Sequence, residues 1–214
     1  MALSAAYVGL YNKSPHGFGI SPPGSDIPAD NVGTPILVLG GGSSVARLGN
    51  YIMYLSSLIT IKAHSKPVIQ LAKLSKFSPI ITTASLKHTD FLKSLGATHV
   101  FDRNLGSAEL SAEISKVTNK PIRYVFDAIS LPSTQQISID VLASGGKLAL
   151  VQPLAVDVPK DKTIIGINAK SRIPSNIELL EHLYHDKISG YVAKGFIKVS
   201  LFGTCWASLF IFFI

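Results

Sequence analysis

The chain has 214 residues, 47% of them hydrophobic and 15% charged, with a formal net charge of +7. That length holds one domain with a good core plus extensions, and the charged fraction lies well below the ~25% of ordinary soluble domains. The single cysteine, Cys205, excludes an internal disulfide and a cysteine-paired zinc site and points to a reducing, cytoplasmic compartment, while the dispersed lysines, without an arginine-rich run, speak against nucleic acid as a partner.

The N-terminal MALSAAYVGLYNKSP has no basic segment ahead of its apolar stretch and is not read as a signal peptide. Residues 3–11 place apolar side chains at helical spacing, and residues 14–33 have the Gly, Pro, Ser and Asp content of a linker. Residues 35–39 (PILVL), a branched apolar run between Gly33 and Gly40, predict a buried strand. Residues 68–75 predict a helix, 79–83 a strand, and 87–95 a helix stopped by Gly96. Residues 99–101 predict a short strand, and 107–118 a helix with Ser107 as its N-cap and Glu109 in its first turn. Residues 122–128 predict a strand, 134–142 a helix ended at Gly145-Gly146, and 147–151 a strand. Strands alternating with helices argue for right-handed βαβ units and an α/β fold, a Rossmann-type doubly wound parallel sheet. The strands are continuous apolar runs, as strands buried on both faces are. The expected organisation is a lead-in helix and linker over 1–34, a dinucleotide-binding domain over 35–198 and a tail over 199–214.

Two segments break the alternation. Residues 46–67 separate the glycine turn from the helix that should follow it. Residues 199–214 are an uncharged apolar tail, shorter than the ~20 residues of a spanning helix. Two readings of the tail stand: apolar sequence that aggregates when exposed, or an anchor that tethers the chain to a membrane.

The chemistry-bearing motif is Gly40-Gly41-Gly42-Ser43-Ser44-Val45, directly after the first strand. In a doubly wound sheet this turn must be small, so that backbone amides approach the pyrophosphate of a dinucleotide and the next helix N-terminus holds its charge. Gly40 and Gly42 fill the first two positions of G-x-G-x-x-G, and Val45 stands at the third. The end of the second strand selects the cofactor: a carboxylate takes the ribose 2′-hydroxyl of NAD, and a neutral or basic surface takes the 2′-phosphate of NADP. Here Ala84-Ser85-Leu86-Lys87-His88 offers no carboxylate. Ser85 can donate to a phosphate and Lys87 can pair with it, which favours NADPH; as a cap and a solvated lysine the two would serve structure alone. Gly42 and Ser85 stand at roughly twice the usual separation of about 20 residues, and removing 46–67 nearly restores it.

PILVLGGGSSV, IQLAKLSKFSPIITTAS, FLKSLGATHVFD, YVFDAIS and GGKLALV together resemble the medium-chain dehydrogenase/reductase superfamily, and within it the fungal zinc-independent enoyl-reductase-like members labelled zinc-binding or ToxD-like oxidoreductases. The resemblance covers residues 33–45 and 68–198 and extends to the lead-in helix over 3–11. It implies an oxidoreductase in which NADPH delivers hydride to an enoyl, quinone-like or carbonyl small-molecule substrate. It places Ser43, Ser44 and Val45 at the pyrophosphate, Ser85 and Lys87 at the adenosine 2′-phosphate, and Ala128 and Ile129 near the nicotinamide. It implies no catalytic residue here, because the family's catalytic GroES-like barrel is largely missing ahead of residue 35. The chain departs from the family after Val45 and after Lys198, and both departures read as translated intron sequence. The alternatives are a non-catalytic nucleotide-binding fragment and a membrane-tethered variant.

Other candidates rank lower. Glu181, His182, His185 and Asp186 share a helical stretch, read as a polar face rather than a metal site. Asp127 ends the fourth predicted strand, at a position that serves either as a site or as a strand-end cap. Tyr124 reads as a packed aromatic.

Overall fold

Each apolar run expected to be a strand forms one in the computed structural model, which describes residues 2–24, 31–41 and 66–197. Helix α1 (Ala2–Tyr11) precedes β1 (Ile36–Leu39). A helix over 66–74, α2, leads to β2 (Ile80–Ala84). There follow α3 (Thr89–Leu95), β3 (His99–Asp102), α4 (Ser107–Val117), β4 (Tyr124–Asp127), α5 (Pro132–Val141), β5 (Lys147–Leu150) and β6 (Thr163–Gly166). Helix α6 (Pro174–Glu181), a π-helical turn (His182–Lys187) and α7 (Ile188–Ala193) follow the last strand.

The six strands lie in the order β3-β2-β1-β4-β5-β6, every neighbour parallel. This is the strand order of the Rossmann fold, whose switch point falls between the first and fourth strands. Strand β1 pairs with both: Leu39 stands beside Thr83 of β2 on one side and Asp127 of β4 on the other.

Period-two alternation along these strands builds two separate cores. Ile36, Val38, Ile80, Phe126, Ala149 and Ile165 face α1, α2 and α3, together with Leu180 and Leu183 near the C-terminal end. Leu37, Leu39, Ile81, Val125, Leu148 and Leu150 face Leu110 and Ile114 of α4 and Ile139 of α5. Each fully buried Leu or Ile contributes roughly 1.5–3 kcal/mol, so burial on both faces explains why central β1 is wholly apolar, while polar residues such as Asp102, Asp127 and Lys147 stand at strand ends.

Three elements differ from the sequence expectation. The helix expected over 87–95 is split, with a 3-10 turn at Leu86–His88 ahead of α3. The Thr89 hydroxyl donates to Leu86 O at 2.6 Å, a local bond that competes with a regular first turn. The N-cap of α4 is Gly106, not Ser107: its N–H donates to Glu109 Oε2 at 3.1 Å, and Ser107 is already helical. Strand β6 was not expected at all. Its sequence, TIIG, is short and lies on the sheet edge, with Thr163 and Gly166 exposed and Ile165 buried.

Candidate nucleotide-binding site

In open α/β sheets, ligands bind in the crevice beyond the carboxyl ends of the strands at the switch point. Gly40 leaves β1 there, at φ +88, a conformation that L side chains rarely adopt. A Cβ at Gly40 would stand 2.5 Å from Ile129 Cγ1, and one at Gly41 would stand 2.4 Å from Thr82 Oγ1. Both glycines are therefore demanded by neighbours on either side, and β1 exits between β2 and β4 as bare backbone. Gly41 N–H donates to Thr83 O at 2.9 Å, and the Thr82 hydroxyl donates to Val38 O at 2.7 Å. Gly42, Ser43, Ser44 and Val45 lie outside the described residues, as do residues 46–65 and the tail from 198 onward.

On the β2 side, Ser85 directly follows the strand, in extended conformation (φ −68, ψ 129), and heads the 3-10 turn without using its hydroxyl as a cap. Its carbonyl accepts from His88 N–H at 2.9 Å. Lys87 is exposed on that turn and makes no hydrogen bond or ion pair among the described residues. The structure adds two residues the sequence reading did not weigh. Asp102 ends β3 opposite Ala84, and its Oδ1 accepts from Asn104 N–H at 2.8 Å. Arg103 comes next, exposed, with its own N–H donated to Ala84 O at 3.0 Å. The parallel pairing of β2 with β3 brings the Arg103 backbone beside Ala84, one residue from Ser85, a proximity that no local spacing could reveal.

On the β4 side, Ala128 is buried, and its N–H donates to Leu39 O at 3.3 Å across the switch point. Ile129 is half-buried and packs on Gly40. Asp127 fixes this turn: it is fully buried, and its Oδ1 accepts from Ile129 N–H at 2.9 Å and Ser130 N–H at 2.8 Å. Its Oδ2 has no hydrogen-bond partner among the described residues. Burial pushes the Asp127 carboxyl above its ordinary range, against the opposing pull of the Ser130 amide, the Thr134 side chain and the Ile129 amide. Ser130 sits at φ +56, a left-handed position unusual for a side chain, and its Oγ donates to Asp127 O at 2.8 Å. Asp127 is thus a strand-end cap that shapes the site.

The remaining candidates fall elsewhere. Tyr124 is packed between Phe18 and Phe77, with ring centroids 5.2 and 5.6 Å away. His182 Nδ1 pairs with Asp186 Oδ2 at 2.7 Å on the outer side of the π-helical turn. Among the described residues no group of three His, Cys, Asp or Glu could hold a metal ion. Among them also no helix is long and apolar enough to cross a membrane.

Comparison with known proteins agrees with this geometry. Residues 67–182 match the zinc-binding dehydrogenase family. A trans-enoyl reductase of a Fusarium species is 30% identical over 144 residues, 67% of this chain and 35% of that protein. Another from Gibberella zeae is 35% identical over 120 residues, 56% of this chain and 27% of that protein. The chain spans about a third of the length of the curated relatives it matches. Among solved structures, the CurK enoyl reductase aligns over 92% of this chain and 51% of its own, at 17% identity and a TM-score of 0.62. Benzyl alcohol dehydrogenase from Acinetobacter calcoaceticus aligns over 91% of this chain and 45% of its own, at 16% identity and a TM-score of 0.61. These two likenesses establish the fold.

Proposed function

Because the chain belongs to the zinc-binding dehydrogenase family of the medium-chain dehydrogenase/reductase superfamily, we propose that it holds NADPH in the β1–β4 crevice and serves the reduction of an enoyl substrate. Family and fold imply a nicotinamide nucleotide as cofactor and a small molecule as substrate. The preference for the phosphorylated cofactor and for an activated double bond is our reading. NADPH, when bound, supplies the hydride, so the protein's own work is binding and positioning.

The observation that carries the proposal is the exit of β1. Gly40 and Gly41 leave no room for a Cβ, and they stand at the switch point of a parallel sheet in Rossmann order. The Ser85 hydroxyl and the Lys87 ammonium would bind the 2′-phosphate, with the Arg103 guanidinium as a second cation from β3. Gly42, Ser43, Ser44 and Val45 would meet the pyrophosphate. Ala128 and Ile129 would present an apolar wall on the nicotinamide side and keep water from it. The family name refers to zinc, but the described residues supply no ligand set for it, and no step is assigned to a metal. The trans-enoyl reductase names of the relatives favour an enoyl substrate over a quinone-like or carbonyl one.

The test is turnover by the full chain with NADPH and a 2-enoyl thioester, following cofactor absorbance and the double bond together. One NADPH oxidised per double bond reduced is the expected result. NADPH binding without turnover would leave a nucleotide-binding role alone, and no binding would contradict the proposal.

A further inference from the structure

Gln135 lies in the first turn of α5 and is fully buried. Helix formation does not require an amide there, and burying one costs free energy unless its donors and acceptor are met. They are met by two different loops. Nε2 donates to Ser130 O at 2.9 Å, in the turn after β4, and to Pro153 O at 2.9 Å, in the loop after β5. Oε1 accepts from Ala155 N–H at 2.8 Å. Ser130 adds a parallel bridge: its Oγ accepts from Val151 N–H at 2.9 Å. Side chains thus hold together two loops that would otherwise leave adjacent strands independently.

Both loops lie across the switch point from Ser85 and Lys87. In a doubly wound sheet the two halves take the two ends of a dinucleotide. With the adenosine end at β2, the nicotinamide end falls to the carboxyl ends of β4 and β5. We propose that Gln135 is the positioning residue of the nicotinamide half: by joining residues 153–155 to the turn at Ser130, it sets Ile129 and the 151–155 loop where that end of the cofactor binds, without touching it. The inference rests on the NADPH reading above.

The test compares two probes on the full chain by calorimetry: NADPH, and adenosine 2′,5′-bisphosphate, which keeps only the adenosine half. Gln135→Met preserves bulk and removes all three bonds. It is expected to weaken NADPH about tenfold or more, since buried loop groups lose their partners, while the bisphosphate stays within about twofold. A general structural role would weaken both probes together, and that result, or unchanged affinity for both, overturns the inference. Ser130→Gly keeps the left-handed turn and removes the two bonds of the Ser130 hydroxyl, the bridge to Val151 N–H and the local bond to Asp127 O, so it carries the test should Gln135→Met not fold. A selective NADPH loss of about threefold is expected there, and no selective loss overturns the inference. If the unaltered chain binds NADPH but neither variant loses it selectively, the inference alone fails. If it does not bind NADPH, the NADPH reading fails, and the inference with it.

Discussion

At the carboxyl ends of β2 and β3 stand two exposed cations, Lys87 and Arg103, with Ser85 and the half-buried Asp102 beside them. At the ends of β4 and β5 the polar groups are buried and bonded to one another, through Asp127, Ser130 and Gln135. On the NADPH reading, the two halves of one sheet would therefore meet the ligand by different physics. Exposed cations contribute little to stability because water screens them, yet they can select a phosphate. A buried network contributes to both stability and geometry, because each lost partner leaves a desolvated group behind. The glycines of β1 separate the halves and couple them through the contact of Gly40 with Ile129.

The largest expected effect strikes that coupling. Gly40→Ala places a Cβ against Ile129 at a backbone angle suited to glycine. A destabilisation of about 2–4 kcal/mol by denaturant unfolding is expected. A loss below ~1 kcal/mol would mean that Ile129 yields freely and that the halves are not coupled there.

Next comes the buried carboxyl. Asp127 has a raised folded pKa, so between its unfolded value of about 3.9 and that raised value the folded chain holds the proton and the unfolded chain does not. Its contribution is fully present below the unfolded pKa and is lost as pH rises through the folded one. Asp127→Asn should remove this slope while keeping an acceptor for Ile129 and Ser130. Parallel unfolding curves from pH 4 upward for both proteins would contradict the assigned burial cost.

The smallest effect on stability belongs to the cations. Arg103→Ala should leave unfolding free energy within about 0.5 kcal/mol and weaken NADPH roughly threefold to tenfold. Loss of stability without loss of affinity would place Arg103 in the fold rather than the site.

The fold was legible in the sequence wherever burial is two-sided. PILVL and KLALV read as strands because nothing polar interrupts them, and the glycine turn announced its place by adjacency to the first. Strand β6 escaped because TIIG, on the sheet edge with both ends exposed, has only two apolar residues and lacks the continuous apolar run of β1. The N-cap of α4 escaped because glycine carries no capping side chain to notice. The proposed site was legible only where it is local: Ser85 and Lys87 follow β2 directly, and Ala128 and Ile129 follow β4. Arg103 and Gln135 enter the proposal through partners brought near by parallel pairing and by the packing of α5, and no spacing along the chain encodes either. Asp127, left open between a cap and a site residue, proves to be a cap whose bonds shape the site.

The most direct measurement of the central claim is the affinity of the full chain for NADPH and for NADH, with and without Lys87. The unaltered chain should bind NADPH about tenfold or more tightly than NADH, and Lys87→Ala should remove most of this preference while NADH affinity and thermal stability hold. Equal affinities in the unaltered chain, or a preference that survives Lys87→Ala together with Arg103→Ala, would contradict that claim.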